Sequence, residues 1–175
     1  MWNRGLDMAE MAARLDGHSR WNVAVLNSDL RIVPNFLHTL ARGLRSRPGV
    51  AIAYPNIYRI PYKEIAEIDN PNYAGQTFAG YAWMMAGETG LRCDERFLHW
   101  YGDSDLEKEA RHQGYEVICV GGCKAPEHLD SGGHVWRESE RLAIVHDDEA
   151  RFAEKWGMDP RDLFLASNPG WGESA

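Results

Sequence analysis

Two aspartates, Asp103 and Asp105, stand at the start of a segment whose pattern predicts a short helix ending at Gly114 and then a buried strand. Acidic side chains are favoured at a helix N-terminus, so either aspartate can cap the helix and leave the other free for chemistry. A second acidic turn ends at Asp29 after an apolar strand, and His128 follows the later strand. Carboxylates and an imidazole in these places are typical of a metal-dependent site.

The composition is that of an ordinary globular protein. The chain has 175 residues, of which 26% are charged and 44% hydrophobic, and its net charge is -7. This acidic balance, with no cluster of Lys and Arg in the sequence, argues against a nucleic-acid-binding surface. No apolar run approaches the roughly 20 residues of a membrane span, and the N-terminus lacks a signal-peptide layout. Three cysteines without C-x-x-C spacing predict reduced thiols, and hence a cytoplasmic protein.

Hydrophobic periodicity predicts an α/β domain that positions the candidate residues. The first third of the chain is expected to contain a helix over 7–15, a strand over 21–26, a helix that begins at Pro34, and a strand over 50–54. The later elements are expected to be a long loop over 55–75, a core strand over 78–86, a strand over 115–120, and a helix over 138–156. We expect one domain over residues 1–165 and a flexible tail over 166–175.

Three blocks of the sequence resemble inverting glycosyltransferases of the family 2 type, which have the GT-A fold. Residues 21–34 resemble that family's strand, acidic metal-binding turn and following helix. Residues 80–85 and 93–106 resemble its "F-D-E-R-F … E-D-x-D-L" block, and His128 with residues 152–157 resembles its late histidine and closing K-W-G. The blocks follow the family's order. The resemblance therefore implies a GT-A-like, Rossmann-like mixed sheet flanked by helices.

The resemblance also implies a reaction, in which a sugar moves from a nucleotide-sugar donor to an acceptor hydroxyl with inversion. Asp29 and His128 would hold a divalent cation, Mn²⁺ or Mg²⁺, that offsets charge on the leaving diphosphate. His134, six residues on, is the rival of His128, and a plain turn acid is the alternative for Asp29. Asp103 would be the general base that deprotonates the acceptor.

Several further side chains are implied to contact the donor or the acceptor. Aromatic rings can offer an apolar face to a sugar, although tryptophans more often lie in a core. The implied contacts are Asn27, Trp83, Trp100, Tyr101 and Asp105. For Asp105 the alternative is a helix cap. The acceptor can be a glycan, a lipid, a protein or a small molecule.

Two positions depart from the family pattern, because Asn27 and Gly102 stand where the family has acids. The family's opening βαβ portion, which holds the base and ribose, has no counterpart here beyond a likeness of residues 3–8 to its end. We therefore expect an N-terminally truncated GT-A domain. Two alternatives stay open: a catalytically silent binding or assembly module, and a half-enzyme completed by another chain or a second copy. The latter predicts a dimer, since a shortened sheet exposes an edge.

Overall fold

A computed structural model describes residues 2–56, 80–129, 138–160 and 162. The described helices are α1 (Trp2–Leu15), α2 (Phe36–Leu44), α3 (Gly102–His112) and α4 (Glu138–Trp156). The described strands are β1 (Asn22–Leu26), β2 (Leu30–Arg31), β3 (Val50–Asn56), β4 (Ala82–Ala86), β5 (Glu116–Lys124) and β6 (Glu127–His128). A short 3₁₀ turn, Gly87–Thr89, follows β4.

The main sheet is mixed and has the strand order β1-β4-β3-β5. Strands β3 and β5 are parallel, as expected for two strands joined by a long connection, whereas β4 runs antiparallel to both of its neighbours. Helices α2 and α3 pack on the sheet, and α1 contacts β1. The predicted mixed α/β sheet flanked by helices is therefore confirmed. A separate two-stranded sheet joins β2 to β6.

Element boundaries differ from the predictions for local reasons. Helix α1 begins at Trp2, five residues earlier than predicted. Helix α2 begins two residues after Pro34, because Asn35 adopts a left-handed conformation with φ 65°. Strand β3 continues through Pro55 with a register shift, and β4 is shorter than predicted. Most of the predicted long loop and the whole predicted tail lie outside the described residues.

The core lies between the sheet and the helices that cover it. Its largest fully buried side chains include Phe36 and Leu40 of α2, Ile52 of β3 and Leu106 of α3. These residues recur at helical spacing on α2 and α3, so that each helix buries one apolar face. No helix in the described ranges is both long enough and apolar enough to cross a membrane.

Two helical glycines provide a matched test of this packing. A Cβ on Gly43 would lie 2.4 Å from a methyl carbon of Val120, whereas a Cβ on Gly5 would meet nothing within 4 Å. We expect Gly43→Ala to lower the free energy of unfolding by about 1–2 kcal/mol, because overpacking outweighs the gain in helix propensity. Gly5→Ala should raise it by up to about 1 kcal/mol. Urea unfolding measures both values, and equal effects would contradict the packing of α2 on β5.

Candidate functional site

A cavity of about 650 Å³ lies at the edge of the sheet where β1 ends and β4 begins. Three of the predicted site residues line it, Asn27 from the turn after β1, and Trp100 and Asp103 from the segment around the start of α3. Asn27 follows β1 directly and donates its backbone N–H to the carbonyl of Tyr81 at 2.8 Å, which fixes it at this edge. The fold therefore brings the acidic turn and the start of α3 to one site.

Asp103 is held at the cavity by backbone donors. It is the second residue of α3, and Tyr101, with φ 61°, turns the chain into that helix. Its Oδ2 accepts the N–H of Gly80 at 2.8 Å, and its Oδ1 accepts the N–H of Ser104 at 2.9 Å. Burial of the carboxyl group raises the pKa of Asp103 above its usual value, and these two hydrogen bonds oppose that rise. A half-buried carboxylate with a raised pKa, facing a cavity, suits a general base.

Asp105 faces the opposite way, which corrects the expectation that it contacts a ligand. Its side chain is buried between helices, where Oδ1 lies 2.7 Å from the Nζ of Lys155 and accepts the indole N–H of Trp156 at 2.9 Å. Lys155 also reaches Asp94, whose pKa is held below its usual range chiefly by hydrogen bonds from Arg96. Asp105 therefore joins α3 to α4, and it neither caps α3 nor lines the cavity.

Two of the predicted aromatic contacts are also corrected. Trp83 is 0% exposed in the centre of β4, where its ring packs edge-on against Trp2 with centroids 5.6 Å apart. Tyr101 is buried too, and its hydroxyl donates to Glu149 of α4 at 3.2 Å. Neither ring can offer a face to a sugar. Trp100 remains, since it is 42% exposed and lines the cavity.

The two predicted metal ligands lie side by side. The pairing of β2 with β6 places Leu30 opposite His128, and Asp29 directly precedes that pair. The Oδ2 of Asp29 lies 3.5 Å from the Nδ1 of His128. The ring of Tyr81 packs edge-on against His128 at 4.6 Å and also lines the cavity, so the pair adjoins the cavity behind that ring. His134 lies outside the described residues.

The pair offers two ligands to a cation. In the described part of the chain, no group of three or more His, Cys, Asp and Glu side chains is arranged to hold a metal ion. A carboxylate with an imidazole nonetheless suits Mn²⁺ or Mg²⁺ when water and phosphate oxygens complete the coordination. Asp29 and His128 are one carboxylate and one imidazole of these types, with Oδ2 and Nδ1 3.5 Å apart.

A residue that the sequence analysis missed, Asp148 of α4, holds the loop before α3. Its carboxylate is 0% exposed and accepts the backbone N–H groups of Leu98 at 3.2 Å, His99 at 2.9 Å and Trp100 at 2.9 Å. Arg151 donates to it at 2.9 Å from the next turn of α4. Asp148 thus fixes the backbone that presents Trp100 to the cavity. The sequence pattern that could have identified Asp148 is its position four residues before buried Phe152, which places a charged residue on the apolar face of α4.

Helix α1 closes the other side of the cavity. The amide of Asn3 forms two hydrogen bonds with the backbone of Cys93, both of 2.8 Å, and Arg92 pairs with Asp7 and Glu10. Cys93 lines the cavity, but burial raises the pKa of its thiol to about 12. The thiol is therefore neutral near pH 7, which argues against a role as a nucleophile.

Comparisons of this chain with protein-family models, with curated proteins and with solved structures find no match.

Proposed function

We propose that this chain is a metal-dependent glycosyltransferase domain that moves a sugar from a nucleotide-sugar donor to an acceptor hydroxyl with inversion. The observation that carries the proposal is the placement of Asp103, Asn27 and Trp100 on one cavity, with the Asp29–His128 pair beside it. Asn27 and Asp29 come from the first of the three sequence blocks, Trp100 and Asp103 from the second, and His128 from the third. A base next to a cation-binding pair is the minimum that such a transfer needs.

The reaction is a single displacement. The acceptor oxygen attacks the anomeric carbon while Asp103 takes the hydroxyl proton, and the bond from that carbon to the diphosphate oxygen breaks. Because the attack comes from the face opposite the leaving group, the configuration inverts. Asp29 and His128 would hold a divalent cation, which would supply positive charge to stabilise the departing diphosphate. The raised pKa of Asp103 strengthens it as a proton acceptor, since a more basic carboxylate takes a proton more readily.

Trp100 is the residue in the best position to bind sugar. It stands at the end of the loop that Asp148 fixes, and its exposed ring lines the cavity. An aromatic face packs against the apolar C–H face of a sugar ring. Asn27 provides an amide donor and acceptor nearby for a hydroxyl or a phosphate oxygen. We assign Trp100 to either the transferred sugar or the acceptor.

Removal of the metal, or of one of its ligands, is expected to weaken nucleotide binding. Titration calorimetry with UDP and GDP should show binding at least about ten-fold tighter with Mn²⁺ than with EDTA, because a cation held by Asp29 and His128 would attract the diphosphate. Asp29→Ala should abolish that gain. Glu127→Gln, which changes the neighbouring strand residue that pairs with Arg31, should leave it intact. Equal affinity with Mn²⁺ and EDTA would count against the metal role of Asp29 and His128.

A second candidate function is a binding or assembly module. Strand β1 forms one edge of the four-stranded sheet, and its sequence, Asn-Val-Ala-Val-Leu, contains no charge or proline to block pairing with a further strand. In an antiparallel pair, successive residues direct their N–H and C=O groups alternately toward and away from the partner strand. Backbone hydrogen bonds from Gly87 to Trp21 and from Asn27 to Tyr81 place Trp21 and Asn27 among the residues that face β4, so the N–H and C=O of Ala24 point away from β4. A homodimer or a partner chain can pair there. A silent module would show no metal-dependent gain in the titration.

A further inference from the structure

A second and larger cavity, of about 910 Å³, lies at the opposite ends of the strands of the main sheet. It opens where β1 begins, at Trp21 and Asn22, and where β4 ends, at Ala86. The candidate transferase cavity lies instead at Asn27 and Gly80, which are at the other ends of the same two strands. The two cavities are therefore separated by the length of strands β1 and β4, and they are distinct sites.

Positive charge is concentrated in this second cavity. Arg20, Arg45 and Arg47 line it, and Glu88 is the one carboxylate among its described lining residues. Glu116 pairs with Arg47 beside the cavity, so Glu88 and Glu116 offset two of the three arginine charges and leave an excess of one, in a chain whose net charge is -7. A local field opposite in sign to that of the whole protein favours a small anion over a large acidic surface.

The three arginines differ in how they are held. Arg47 is engaged by Glu116, whose Oε2 accepts from its Nε at 2.7 Å. Arg20 lies 3.6 Å from Glu88 and its side chain is 83% exposed, so that pair is weak. Arg45 donates from Nη2 to the amide oxygen of Asn22 at 2.9 Å, with the amide oriented to accept.

Arg45 is the central residue of the site. No carboxylate of the described residues lies within ion-pair distance of it, and one bond to Asn22 uses one of the five N–H donors of a guanidinium. Arg45 directly follows α2, where a cation is favoured even without a ligand, because the negative end of the helix dipole lies there. What points to a ligand is that Arg45 and Arg47, from the segment after α2, and Arg20, from the segment before β1, line one cavity.

The walls of the cavity add aromatic and rigid surface. Trp21 and Tyr115 line it, and the ring of Trp21 lies directly over Gly87, where a Cβ would come within 2.2 Å of the ring. This close approach fixes the ring beside the arginines. Guanidinium groups bind phosphate oxygens in a bidentate manner, and the N–H donors of Arg45 that Asn22 does not use suit such an oxygen. We propose that this cavity is a binding site for a small phosphorylated ligand, independent of the transferase cavity, with Arg45 as its principal contact.

Calorimetric titration with inorganic pyrophosphate, in EDTA and at low ionic strength, tests the proposal. We expect saturable binding that Arg45→Gln weakens about ten-fold or more, because a charge-assisted contact is lost. Glu88→Gln should tighten binding, since it removes the carboxylate from the lining. Arg14→Gln, a matched change at an exposed arginine of α1, should have no effect.

Two further measurements separate this proposal from the transferase function and from loss of folding. Asp29→Ala should leave this binding unchanged, so that failure here and failure of the proposed transferase function are distinguishable. Circular dichroism of each variant establishes that it is folded, and Glu88→Gln tests the site even if Arg45→Gln proves unstable. Absence of saturable binding at millimolar pyrophosphate, or an equal loss in Arg14→Gln, or no tightening in Glu88→Gln, would overturn the proposal.

Discussion

Replacement of Asp103 by Asn is expected to lower the rate of sugar transfer by about 100-fold or more while leaving the Kd for the nucleotide unchanged. The amide oxygen can still accept the N–H of Gly80, which the carboxylate accepts at 2.8 Å, and only the bond from the N–H of Ser104 is lost, so the local structure should persist. It cannot take a proton from the acceptor hydroxyl, and loss of a general base typically costs a factor of 10²–10⁴. Steady-state transfer assays and calorimetry measure the two quantities separately.

Glu95→Gln is the control for Asp103→Asn, because Glu95 lines the same cavity and the change is again from carboxyl to amide. It should leave the rate within a few-fold of the unchanged protein. The pH dependence gives a further check. Transfer requires the unprotonated base, so the rate should fall as the pH falls through the raised pKa of Asp103, above the usual aspartate value of about 3.9. A variant that unfolds would instead assign Asp103 to the helix terminus, and one that still transfers would remove it from the mechanism.

Asp148→Ala is expected to lower the free energy of unfolding by about 3 kcal/mol or more. The substitution leaves the backbone N–H groups of Leu98, His99 and Trp100 without their buried acceptor and removes the nearer partner of Arg151. A buried donor that loses its only acceptor typically costs about 1–3 kcal/mol, so three such N–H groups account for the expected loss. Urea denaturation, followed by circular dichroism, measures the change.

The neighbouring residue provides a matched control. Asp147 also faces Arg151, but at 3.9 Å and with its side chain 70% exposed, so Asp147→Ala should change stability by no more than about 0.5 kcal/mol. Equal effects of the two substitutions would show that the loop before α3 does not depend on Asp148. Loss of stability in Asp148→Ala alone would establish that α4 holds the loop that carries Trp100.

The regular elements with long periodic patterns could be predicted, whereas short or irregular ones could not. Helix α4 has the predicted bounds, because a sustained apolar stripe and a terminal Gly157 with φ 64° mark it clearly. Strands β2 and β6 contain two residues each, too few to show any periodicity. Their pairing was therefore invisible in the sequence, although it is what brings Asp29 and His128 together.

The candidate site was predicted in part, and helix geometry explains the part that failed. Residues two apart on a helix point about 200° away from each other, so Asp103 and Asp105 cannot both face one cavity. Asp103 faces it and Asp105 faces α4. Residue type alone did not separate a core ring from an exposed one, which is why Trp83 and Trp100 were predicted alike. Asp148 was missed because its partners are about 50 residues away in sequence, beyond any local pattern.

Release of nucleoside diphosphate from a panel of UDP- and GDP-sugars is the measurement that tests the central claim most directly. The purified chain is incubated with each donor, with Mn²⁺ or with EDTA, alongside simple sugar and alcohol acceptors. The proposed function predicts release from at least one donor that depends on Mn²⁺, because Asp29 and His128 need the cation to stabilise the leaving group. No release from any donor in a well-folded sample that also fails to bind UDP or GDP would contradict it.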